Sequence, residues 1–175
     1  MAEVEIHGHG HSDDAFGQKV GILVGVFGIL LSIVTILSHR EHAAAVIHKT
    51  EANDQWAFYQ AKKIREHNEE IGAGLLNALA PDPAKVAALS TTLTQEKVRY
   101  AREAEAIQRT AQERDQQAQR SESRALRFDV GEGFLELGLI MSSLYFLSRR
   151  RFFVAFGGVS AAVGTVVSVI GFYNL

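Results

Sequence analysis

Two stretches of this chain carry no charge at all: Val20–Ser38, nineteen residues, and Phe152–Leu175, twenty-four. The hydrocarbon core of a bilayer, about 30 Å thick, needs roughly 20 apolar residues as a helix. Both runs meet that length, so both are expected to cross a membrane. The formal net charge of -2, from 18 basic and 20 acidic residues, suggests a soluble domain only because it averages unlike segments. The near-neutral balance argues against nucleic acid as a partner. With no cysteine, disulfides, thiolate metal sites and cysteine nucleophiles are excluded.

The remaining segments follow from these two. Residues 1–19 form an acidic, His-rich segment expected to be flexible, and 20–38 are the first span. Residues 39–128 hold 13 acids and 14 bases and are expected outside the membrane. Residues 130–148 have the length of a span but contain Glu132 and Glu136. The Arg149–Arg151 turn supports this second span, because three arginines cannot sit in hydrocarbon and both flanking runs must end at a surface there. Residues 152–175 are the third span. A cleavable signal peptide fits the first span poorly: the run is long, an acidic segment precedes it, and no small-x-small site follows.

Proline lacks an amide and clashes with the preceding helical turn. Pro81 and Pro83, the only two prolines, therefore predict a turn at 80–83 between two helical arms of nearly equal length. The expected fold is an all-α membrane protein: three transmembrane helices, with a long antiparallel helical hairpin, a coiled-coil-like stalk, between the first and second. On the second arm Val86, Leu93, Tyr100 and Ile107 recur every seven residues, with Leu89, Ala104, Ala111, Ala118 and Ala125 near the alternate seam positions. The first arm offers Ile64, Ile71, Leu75 and Leu79. Folding at the prolines predicts Leu75 opposite Leu89, Ile71 opposite Leu93 and Ile64 opposite Tyr100. The seam thins toward the membrane, from which self-association is expected.

Helices in lipid associate by close backbone approach, which small residues permit. Gly21, Gly25, Gly28, Ser32 and Thr35 form such a series in the first span, and Gly157, Ala161, Gly164, Ser168 and Gly171 in the third. Both faces are candidates for helix packing. Glu132 and Glu136 share a helical face, and a carboxylate inside a span marks either a structural hydrogen bond or a proton or cation path. His39 and His42, with Asp129 or Glu132, have the ligand types of a metal site but an unspecific spacing. His7, His9 and His11, with Asp13 and Asp14, are a compositional candidate for a divalent metal; no other cofactor is indicated. P-loop, Rossmann, nucleophile-elbow and His-Glu-x-x-His patterns do not occur in the sequence, so an enzyme is not expected.

Trp56, Phe58 and Tyr59 fall within four residues and cannot all face one helical seam, which makes them candidates for partner binding. The run that carries them, Ala52-Asn53-Asp54-Gln55-Trp56-Ala57-Phe58-Tyr59-Gln60-Ala61-Lys62-Lys63-Ile64-Arg65, with His39-Arg40 and Ala45-Val46 before it, resembles the bacterial domain-of-unknown-function 4337 family. The resemblance extends over essentially the whole chain, including the spans and the basic turn. It implies a bacterial membrane protein without an established activity, so no catalytic residue is carried over.

The sequence leads to the expectation of a non-enzymatic scaffold or accessory subunit in a bacterial inner membrane, a homo-oligomer or part of a larger membrane complex. A conduit lined by Glu132 and Glu136 and a metal-handling protein using the His tract are the alternatives. The positive-inside rule applied to Arg149–Arg151 puts the amino terminus in the cytoplasm and the stalk in the periplasm, against the opposing pull of Arg40, Lys49, Arg120, Arg124 and Arg127.

Overall fold

The computed structural model describes residues 15–79 and 82–173. Among these there are three helices and no strand: α1 Ala15–Leu79, α2 Pro83–Ser148 and α3 Arg151–Tyr173. Each contains a stretch long and apolar enough to cross a membrane. Helix bounds depart from the sequence expectation in three places. Ala15–Lys19, assigned above to the flexible segment, are the first turns of α1, and Arg151 opens α3 instead of ending the turn. Pro83 opens α2, where a missing N–H costs nothing because the first amides of a helix have no intrahelical partner. The Asp82 carbonyl accepts the first bond of that helix, from Val86 N–H at 3.1 Å.

Between α2 and α3 the chain turns within two residues. Arg149 adopts φ 55° and donates its N–H to Tyr145 O at 2.7 Å. This left-handed conformation closes helix C-termini and is more often taken by glycine.

The described residues form two compact units. The first comprises the chain up to Arg40 and from Arg124 onward. Its core is Phe27, Val34, Phe128, Leu135 and Ala161, with Leu23, Leu30, Leu31, Leu37 and Leu139 packed against it. Two packing modes meet there. α1 lies on α2 through large side chains, whereas α3 lies on α2 backbone to backbone. A methyl group built on Gly164 would stand 2.6 Å from Gly131 O and 2.9 Å from Leu135 N, and one on Gly138 would stand 2.8 Å from Gly157 O. Ser160 Oγ crosses the same interface to donate to Phe134 O at 2.8 Å. Gly157, Ala161, Gly164, Ser168 and Gly171 are all buried.

The second unit is Glu41–Ser123. Its α2 face follows the expected heptad, with Ala104, Ala111 and Ala118 fully or almost fully buried. Its α1 face does not. Ile64, Ile71 and Leu75 are 61%, 47% and 56% exposed, and Leu89 is 48% exposed, so the apolar pairing expected across the prolines is not the one formed. Buried Ala52, half-buried Tyr59, Lys62, Glu66 and Glu69 form the inward stripe instead. Cross-helix contacts run Lys49–Asp115, Glu51–Arg114, Lys62–Glu103 and Glu70–Lys97, so α2 numbers fall as α1 numbers rise. Small alanines bring the two helices close enough for these side chains to reach across.

Alanine substitution separates the two kinds of glycine. Gly164→Ala should destabilise the first unit by about 1–3 kcal/mol, since backbone and not a movable side chain blocks the new methyl. Gly158 has open space around it, and Gly158→Ala should be neutral or stabilising by up to about 1 kcal/mol through helix propensity. Thermal unfolding followed by circular dichroism in detergent checks both.

Candidate functional site

The sequence singled out side chains in both units, and each unit builds its own polar cluster. In the first, hydroxyls on α1 meet carboxylates on α2. Thr35 Oγ1 donates to Glu132 Oε1 at 2.6 Å, and Ser38 Oγ donates to Asp129 Oδ1. Each pair is three residues apart on its own helix, one turn, so donors and acceptors stay in register. Ser38 is 1% exposed, which places one of these bonds in the core of the unit. A carboxylate taken from water is tolerable only with such partners. Glu136, one turn further along α2, is exposed. The two carboxylates thus have different surroundings and are not brought together around one interior space.

The small-residue series of the first span borders the α1–α2 contact. Gly21 and Gly28 have Phe146 Cζ and Leu139 Cδ1 at 3.9 and 3.8 Å from where a methyl would stand, while Gly25 has nothing within 4 Å. Ser32 is exposed, its hydroxyl donating to Gly28 O at 2.9 Å. The series in the third span lies in the tight interface with α2. Its partners Gly131, Gly138 and Ser142 are not among the residues the sequence singles out; their 7- and 4-residue spacings are helical, and Glu132 and Glu136 lie on another face of the same helix. Ser142 Oγ is buried there without a hydrogen-bond partner among the described residues.

The aromatic segment divides. Trp56 and Tyr59 are half-buried, their rings edge to face at 5.6 Å. Trp56 Nε1 donates to Asp115 Oδ2 at 2.9 Å, and Lys49 Nζ donates to Asp115 Oδ1 at 2.7 Å. One carboxylate on α2 therefore holds two side chains seven residues apart on α1. Phe58 points away, 59% exposed. A second node surrounds Tyr100, with Lys62, Arg65 and Arg99 placed 5.4, 5.9 and 4.9 Å from its ring centre. Cations over an aromatic face are attracted by its quadrupole.

No group of three or more His, Asp or Glu side chains suited to a metal occurs among the described residues, His39 and His42 included. His7, His9 and His11 lie outside the described residues.

The cross-helix ion pairs make the second unit acid-sensitive. The hydrogen bond from Lys49, then that from Trp56, lowers the Asp115 pKa from the ordinary 3.8. Lys62 and Lys97 do the same for Glu103 and Glu70, from 4.5. A carboxylate with a depressed folded-state pKa contributes stability that is complete above its unfolded value and is lost as pH falls through the folded one. Unfolding temperature should therefore hold steady above about pH 5 and fall below about pH 4 as these acids protonate. The emission of Trp56, the only tryptophan, should change in the same acid range, and Asp115→Asn should remove that step.

No curated protein and no solved structure matches the chain. A family model does, over residues 16–174, which takes in all three helices and both polar clusters. The chain belongs to the family described as Domain of unknown function (DUF4337).

Proposed function

We propose that this chain is a non-enzymatic scaffold or accessory subunit of a bacterial membrane, which self-associates through the outward face of α1 in the second unit. The three helices cross the bilayer within the first unit, and Glu41–Ser123 forms an antiparallel helical hairpin outside it. The observation carrying this reading is the inversion of the usual helical pair. Ile64, Ile71 and Leu75 form an outward apolar stripe, with exposed Phe58 to one side of it, while the inward stripe is Ala52, Tyr59, Lys62, Glu66 and Glu69. Exposed ion pairs contribute little stability, typically below about 1 kcal/mol each. An apolar stripe left on such a pair favours covering by another copy. In this reading Phe58 contacts the neighbour, while Trp56 and Tyr59 fix the helix that presents it.

Compartment and orientation follow the positive-inside rule, with the arginine turn in the cytoplasm and the hairpin in the periplasm. The conduit alternative gains no support from one copy, because Thr35 engages Glu132 while Glu136 is exposed elsewhere.

Size-exclusion chromatography with light scattering in mild detergent tests the reading. Wild type should run as a stable oligomer, and Ile64→Lys with Ile71→Lys should shift it to monomer with helicity retained, since both side chains are exposed. A wild-type monomer with full helicity would reject it.

A further inference from the structure

An apolar groove of about 270 Å³ opens on the first unit between α1 and α3, floored by Phe128 and Leu135 of α2. Leu30, Ile33 and Leu37 form one wall and Val169 and Phe172 the other. From Leu30 to Leu37 the wall runs seven residues, roughly 10 Å at 1.5 Å per residue. Half of a hydrocarbon core about 30 Å thick is about 15 Å, so the groove fits within one leaflet.

Charge sits at one end of it. Arg40 continues the α1 wall, being seven residues beyond Ile33 and three beyond Leu37 on the same helical face. Arg124 continues the floor, one turn before Phe128, and Arg127 packs along the last turn of α3, its Cβ 3.1 Å from where a methyl on Gly171 would stand. Arg40 and Arg127 form no ion pair with a described residue. Asp129, at this level of α2, accepts a hydrogen bond from the Ser38 hydroxyl. Arg40 is exposed, and Phe172 and Tyr173 lie at the same end, where aromatic side chains mark the boundary between hydrocarbon and headgroups.

We propose that this groove binds an anionic phospholipid, one acyl chain lying along Ile33, Leu37, Phe128 and Phe172 and its phosphate meeting Arg40 and Arg127. Charge complementarity selects the occupant. A second copy of the chain would bring an apolar helix to the groove but leave the arginines unanswered, whereas an anionic phospholipid supplies a chain of fitting depth and an anion at the level of the guanidinium groups. The inference rests on the membrane-spanning reading of the three helices, not on self-association.

Native mass spectrometry of the full chain in detergent, with phosphatidylglycerol or phosphatidylcholine added at equal concentration, tests it. Wild type should retain phosphatidylglycerol preferentially, and each of Arg40→Gln and Arg127→Gln should reduce that preference about fivefold, the worth of one basic residue at an anionic surface. Ile33→Trp, filling the groove from an exposed position, should reduce retention of both lipids with helicity unchanged. Arg40→Gln alone remains decisive if Arg127→Gln misfolds, because Arg40 is exposed. Equal retention of the two lipids by wild type, a preference that survives both arginine changes, or full retention by Ile33→Trp would each overturn the proposal. Wild type that enters detergent without lipid preference defeats this inference alone; wild type soluble without detergent defeats the membrane reading with it.

Discussion

Hydrocarbon offers no partner to a charge or an unpaired amide, and that exclusion organises this chain. It admits only structures that satisfy their backbone internally, and helices do so residue by residue. The uncharged runs of α1 and α3 meet this condition outright. The apolar part of α2 meets it with help: Asp129 and Glu132 receive the hydroxyls of Ser38 and Thr35, so the acids at the start of that stretch are bonded where they sit.

Between helices in lipid the hydrophobic effect supplies no attraction, and the close packing of α3 on α2 is of the kind that then holds helices together. Gly131 and Gly138 face Gly157, Ala161 and Gly164, and the gain comes from backbone atoms in contact, where a single methyl group is too much. The second unit solves a different problem. Its alanine seams at Ala52, Ala104 and Ala111 bury little apolar area, so ion pairs and the Asp115 node specify which residues meet more than they hold them together. The bulk of the apolar surface of α1 in that unit remains outside.

The helical class, the break at the prolines and a short basic link before the last helix were legible because each rests on a local rule of charge or backbone chemistry, although the link is one residue shorter than the Arg149–Arg151 turn expected. The heptad of α2 was legible too, since its alanines repeat with its large residues. The α1 stripe was not. Ile64, Ile71 and Leu75 repeat as regularly as any seam, and their apolar character favoured them over Tyr59 and Lys62. The residues that do meet across the helices include the ion pairs Lys62–Glu103, Lys49–Asp115 and Glu70–Lys97. Such pairing depends on two segments at once and leaves no period in either. The Gly131–Gly138 face was readable only beside its counterpart on α3.

The most direct test of the account exploits the absence of cysteine. Single substitutions Ile29→Cys, Val163→Cys, Gln116→Cys and Arg150→Cys place one thiol at four exposed positions, to be reacted with a membrane-impermeant maleimide in sealed and in opened vesicles. Positions 29 and 163 should stay unreactive in both, and positions 116 and 150 should react from opposite sides. Reaction at 29 or 163, or labelling of 116 and 150 from the same side, would contradict the account.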